Sequence, residues 1–173
     1  FEHTVEALEA LPLPTVARLN GSVYGGATDL ALACDFRVGV AGMELRMPAA
    51  RLGLHYYPSG LQRYVSRLGL GAAKRLFLLA EAVDADDLQR IGYLDQVVAP
   101  ETLDDTVDRI VQALAANAPL AVRGMKRSLD EIARGTVDLH ALRERVATCA
   151  ASSDLREGLA AFAERRAPHF TGT

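Results

Sequence analysis

Gly25, Gly26 and Asp29 stand in the run Asn20-Gly21-Ser22-Val23-Tyr24-Gly25-Gly26-Ala27-Thr28-Asp29, where a glycine-rich turn leads into a helix with an acid in its first turn. The first N–H groups of such a helix have no acceptor inside it and sit at the positive end of its dipole. A carbonyl oxygen or oxyanion is therefore favoured at that end. Gly25 and Gly26 let a ligand approach the backbone closely, so the run is suited to polarising a carbonyl. An acid at Asp29 also complements the dipole, worth about 0.3–1 kcal/mol, whether or not it takes part in chemistry.

Elements on both sides position this turn. Thr15-Val16-Ala17-Arg18-Leu19 reads as a short strand, so the order is strand, glycine turn, helix. Phe1 to Ala10 has helical spacing and is stopped by Pro12 and Pro14. Phe36 to Val40 is an apolar run consistent with a buried strand. Two amphipathic helices, Gly60 to Leu68 and Gly71 to Glu81, are separated by Gly69-Leu70-Gly71. Asp84 opens a shorter helix that stops at Gly92, and Tyr93 to Val98 reads as the last strand. From Glu101 onward the periods are helical, interrupted at Pro119, at Arg134-Gly135-Thr136 and at Ser152-Ser153-Asp154. The final helix is expected over Leu155 to Arg166, with Ser153 among its local caps and Pro168 beyond it. The organisation is α/β to about Pro100 and helical thereafter.

With 173 residues, half of them apolar, the chain is long enough to bury about 70% of its unfolded surface. A formal charge of −3 with scattered Lys and Arg gives no basic field, which argues against nucleic acid as a partner. No apolar run reaches the ~18 residues of a membrane span and no secretory start is visible, so no membrane partner and a cytoplasmic location are expected. Cys34 and Cys149 have no metal or redox spacing, and His3, His55, His140 and His169 are dispersed, so no metal site is expected.

The glycine run, followed by Asp29-Leu30-Ala31 and Ala33-Cys34-Asp35, resembles the signature of the crotonase superfamily of enoyl-CoA hydratases, isomerases and related acyl-CoA enzymes. The match continues in order through Pro48, Leu52-Gly53-Leu54, Gln62-Arg63, Gly92, Ala118-Pro119-Leu120-Ala121, Lys126, Glu157-Gly158 and Ala161-Phe162. The resemblance implies an α/β fold in which residues 1–100 form the second part of a crotonase-like ββα spiral. Residues 101–173 would be C-terminal helices that assemble trimers or dimers of trimers. It also implies that the first part of the spiral, with one of two oxyanion-binding N–H groups and much of the CoA pocket, lies outside these residues. The substrate would be an acyl-CoA thioester, with no cofactor beyond the coenzyme A it carries.

The same resemblance assigns roles. Gly26 would donate one N–H to the thioester oxygen, beside a substrate-lining Tyr24 and Gly25. Asp29 falls where hydratases carry one catalytic glutamate. Being a methylene shorter, it falls short by about 1.5 Å, a gap for a water to bridge. The second glutamate, after the proline, is here Ala49, so a carboxylate pair for hydration is not present. A tyrosine at Tyr56 resembles the methylmalonyl-CoA decarboxylase branch, where an oxyanion hole and a weak proton donor, Tyr56 or His55, would suffice. Phe162 and Arg165, with Lys126, match positions near the CoA nucleotide. The expected activity is hydratase-like lyase or malonyl-type-CoA decarboxylase. The alternative is a catalytically silent CoA-binding or oligomerisation module.

Overall fold

The computed structural model describes residues 1–173. Helix α1 (Glu2–Glu9) ends at Ala10, two residues before Pro12, and the chain then enters strand β1 (Val16–Leu19). Strand β2 (Val23–Tyr24) leads through Gly25 into α2 (Gly26–Ala33), which is followed by β3 (Phe36–Val40) and β4 (Glu44–Arg46). A 3-10 turn, Ala49–Leu52, precedes the long α3 (Pro58–Lys74) and a π-helical turn at Arg75–Leu79. Strand β5 (Val83–Asp84), α4 (Ala85–Arg90) and β6 (Gln96–Val98) complete the alternating part. The remainder is a 3-10 turn at Pro100–Thr102, then α5 (Leu103–Ala115), α6 (Pro119–Arg134), α7 (Leu139–Ala151) and α8 (Ser153–Glu164).

Two compact units divide the chain: Phe1–Leu11 with Thr15–Asp108, and Pro12–Pro14 with Arg109–Thr173. The first holds two three-stranded sheets. One has the order β1-β3-β6, all parallel, in the register Val16↔Phe36 and Val38↔Gln96; the other has β2 parallel to β4 and β4 antiparallel to β5. Parallel neighbours require a crossover, and α2 is the helix within the β1-to-β3 connection.

Burial fixes that helix. Thr28, Asp29, Ala31, Leu32 and Ala33 are all buried. Two fully buried tyrosines clamp its first turn: the hydroxyls of Tyr64 and Thr28 lie 2.5 Å apart, and Tyr93 Oη donates to the Thr28 carbonyl at 2.7 Å. Satisfied hydroxyls are the condition for burying tyrosine at this depth.

The expected break at Gly69 is present: with φ 81° and ψ 160° it is non-helical, so α3 is two helices that meet at a kink there. Ser152 rather than Ser153 caps α8, its Oγ accepting from the Leu155 N–H at 3.0 Å. Strands β2, β4 and β5, at two or three residues each, are too short for alternation to reveal.

In the second unit the carboxylate of Asp154 accepts from the N–H groups of Thr171 and Gly172 at 2.8 and 2.9 Å, strapping the C-terminal segment to α8. Lys126 is buried, with Nζ donating to the Leu13 carbonyl at 3.0 Å. No helix is long and apolar enough to cross a membrane.

Candidate active site

Gly25 adopts φ 54° and ψ −127°, a conformation that favours glycine, and so turns the chain from β2 into α2. Its own N–H donates to the Arg46 carbonyl at 3.0 Å, and the Thr28 N–H closes back on the Gly25 carbonyl at 3.0 Å. Gly26 is the first helical residue, so its N–H has no acceptor within α2, and none of the turn's backbone bonds uses it. That amide sits at the positive end of a helix whose other end lies at Ala33. On the side where a side chain would project from Gly26 lies the ring of Phe1, itself 62% exposed: a Cβ at Gly26 would stand 2.9 Å from Phe1 Cζ.

Asp29 follows one turn later on the same face and has no exposed surface. Its Oδ1 accepts from Arg63 Nη1 at 2.7 Å and its Oδ2 accepts from the Tyr57 hydroxyl in a short hydrogen bond. Arg63, 2% exposed, also reaches Glu9 through Nε at 3.0 Å and Nη2 at 3.2 Å, a two-pronged contact. Glu9 in turn accepts from Arg67 Nη2 at 3.1 Å. The result is a buried chain of charge, Arg67–Glu9–Arg63–Asp29, ending on Tyr57. Burial works against the charge on Arg63, but its hydrogen bonds to Glu9 and Asp29 outweigh burial and raise its pKa above the ordinary value.

The aromatic pair above this chain is tightly placed. Tyr56 and Tyr57 stack with ring centroids 4.3 Å apart and planes at 26°, and Tyr57 meets the Phe1 ring edge-on at 6.1 Å. Gly60 makes room for them, since a Cβ there would come within 2.5 Å of Tyr56 Cε1. The Tyr56 hydroxyl makes a long 3.4 Å contact to the Tyr57 oxygen. Burial pushes the Tyr56 hydroxyl up to about 12, opposed by its hydrogen bond with Tyr57 and aided to a smaller extent by the charge on Asp29. Tyr57 is pushed up by burial and by its hydrogen bond to Asp29.

Both hydroxyls therefore stay protonated through neutral pH. A folded-state pKa raised above the unfolded 10.0 means stability that is intact below pH 10 and lost as pH rises toward about 12. Urea midpoints are accordingly expected to hold steady up to pH 10 and to fall between pH 10 and 12. Tyr56→Phe should flatten part of that decline.

The structure brings Gly25, Gly26, Asp29 and Tyr56 into one neighbourhood. His55 is exposed, its Nδ1 2.8 Å from the Tyr56 carbonyl, and Tyr24 is 51% exposed, its hydroxyl donating to Glu44 at 2.9 Å. Phe162, 85% exposed, and Arg165, in the left-handed cap of α8 (φ 56°), belong to the helical unit. Ala49 is buried and carries no group for proton transfer.

Tyr57 and Arg63 were not anticipated as partners of Asp29, nor Glu9 as the second partner of Arg63. The signal lay in helical spacing: Gly60, Arg63 and Tyr64 form the buried stripe of α3, and Val5 and Glu9 that of α1. A cation in one apolar stripe and an acid in another call for each other.

A family model described as enoyl-CoA hydratase/isomerase matches residues 1–173. A crotonyl-CoA hydratase from Syntrophomonas wolfei is 33% identical over 165 residues, covering 94% of this chain and 64% of the relative. A short-chain-enoyl-CoA hydratase from Clostridium acetobutylicum is 32% identical over 161 residues, covering 92% of this chain and 62% of the relative. Among solved structures, an enoyl-CoA hydratase from Bacillus anthracis superposes with a TM-score of 0.91 at 32% identity, covering 99% of this chain and 67% of that one. The chain thus spans about two thirds of the length of these relatives.

Proposed function

Because the chain belongs to the enoyl-CoA hydratase/isomerase family and has the crotonase fold, we propose that it binds an acyl-CoA thioester with its carbonyl oxygen at the Gly26 amide and stabilises the enolate that forms. The observation that carries this reading is the Gly26 N–H at the head of α2, used by none of the surrounding backbone bonds. One such donor contributes about 3–4 kcal/mol to a transition state that gathers charge on oxygen. The second donor and much of the CoA pocket are proposed to come from outside residues 1–173. Self-association into trimers fits the exposed apolar residues of the helical unit, including Met125, Leu129, Val146, Leu159 and Phe162.

Water addition or double-bond migration needs a proton acceptor, and Asp29 is the carboxylate beside the turn. A second reading, loss of carbon dioxide from a malonyl-type thioester, is favoured by Ala49, because decarboxylation makes the enolate without a base. Tyr56, neutral at working pH, then suits the role of proton donor.

The test is to offer the intact protein crotonyl-CoA and methylmalonyl-CoA in separate assays. Loss of the enoyl absorbance supports hydration, and carbon dioxide release supports decarboxylation. A protein that does neither and gives no calorimetric signal with either thioester is a silent assembly module, and the proposal is wrong.

A further inference from the structure

Asp29 has no exposed surface, so neither a guest molecule nor its attacking water reaches the carboxylate directly. Its oxygens meet Arg63 and the Tyr57 hydroxyl. A guanidinium stays protonated and relays no proton, which leaves the tyrosine. Tyr57 alone of these three is partly exposed, and its ring adjoins the Phe1 ring that flanks Gly26.

We infer that Asp29 exchanges protons with a bound acyl-CoA, or with the water that attacks it, through the Tyr57 hydroxyl. The inference rests on the reading of the Gly26 amide as the enolate-stabilising donor. Its geometry is already directional: the Tyr57 proton points to Asp29 Oδ2 and one lone pair of its oxygen faces the Tyr56 hydroxyl at 3.4 Å, which leaves the other for an incoming O–H. Stacking on Tyr56 holds the ring in that pose. The hydroxyl also spans the reach of about 1.5 Å that aspartate lacks relative to glutamate.

In the addition direction, the water oxygen bonds to the β carbon of an enoyl thioester. The water proton passes to Tyr57 Oη as the Tyr57 proton passes to Asp29. The electrons of the carbon–carbon double bond move into the thioester, whose oxygen takes negative charge at the Gly26 N–H. The proton then returns from Asp29 through Tyr57 to the α carbon, where the enolate electrons form the new C–H bond, and one water has been added. A single relay that first accepts and then donates is what a site with alanine at position 49 requires.

The test uses crotonyl-CoA hydration by the intact protein, with deuterium exchange into the α position of butyryl-CoA as a second reading. Tyr57→Phe keeps the aromatic stack and the Asp29–Arg63 pair, so it carries the test even if Asp29→Asn folds poorly. It should lower kcat by about a hundredfold with KM changed less than about threefold. The wild-type rate plotted against the deuterium fraction of the solvent should bow, because two protons move together, and straighten in Tyr57→Phe. A Tyr57→Phe enzyme that retains wild-type kcat and the bowed plot overturns the relay while leaving the Gly26 reading intact. A wild-type protein that neither hydrates nor exchanges overturns the relay, and the Gly26 reading falls with it if the protein also releases no carbon dioxide from methylmalonyl-CoA.

Discussion

Arg63→Met is expected to destabilise the α/β unit by about 3–5 kcal/mol, because removing one partner of a buried ion pair leaves the other's charge uncompensated. The methionine fills much of the arginine's volume, so little of the loss is a cavity effect. Glu9 keeps its contact to Arg67 at 3.1 Å, but Asp29 keeps just the Tyr57 hydroxyl for a carboxylate with no exposed surface. The effect belongs to the stranded anion rather than to the lost attraction. Neutralising the acids in the same background, as Glu9→Gln and Asp29→Asn, should therefore recover a substantial part of it. Urea unfolding checks this: the midpoint should drop in the single variant and rise again in the triple one at an unchanged slope. A single variant within about 1 kcal/mol of wild type would mean that Asp29 is solvated, contrary to its burial.

That charge chain shows where reading the sequence succeeds and where it stops. The glycine turn, the helix behind it and Asp29 in its first turn were legible because each depends on local rules: a positive φ at Gly25, an unpaired N–H at a helix start, and one turn between residues 26 and 29. Helix ends governed by Pro, Gly and Asp followed the same logic, as at Asp84, whose carboxylate caps α4 by accepting from the Asp87 N–H at 2.9 Å. Tyr57 was harder. It adjoins Tyr56, and a loop of two tyrosines gives no periodicity to say which faces the core. Gly60, 3 residues past Tyr57, leaves room for both rings, and what separates them is that Tyr57 turns its hydroxyl to Asp29. Contacts 28 and 34 residues apart in sequence fix what Asp29 touches, and no local pattern reports such separations.

Gly26→Pro should abolish most turnover while leaving the fold in place, lowering kcat for enolate formation by about 10²–10³. Proline removes the N–H proposed to hold the thioester oxygen and changes no other polar group. The first position of a helix tolerates it, since that N–H has no helical acceptor and the ring's fixed φ suits the helix. Gly25 precedes it, and a glycine accommodates the constraint that proline places on its neighbour better than any other residue. The added carbon atoms meet the far end of the Phe1 ring, which is 62% exposed and able to swing away. Circular dichroism and urea midpoints should stay near wild type, while KM should rise as well, because the ring's Cδ stands where the N–H pointed at the thioester oxygen. A Gly26→Pro protein that folds and keeps wild-type kcat would show that the oxyanion is held elsewhere.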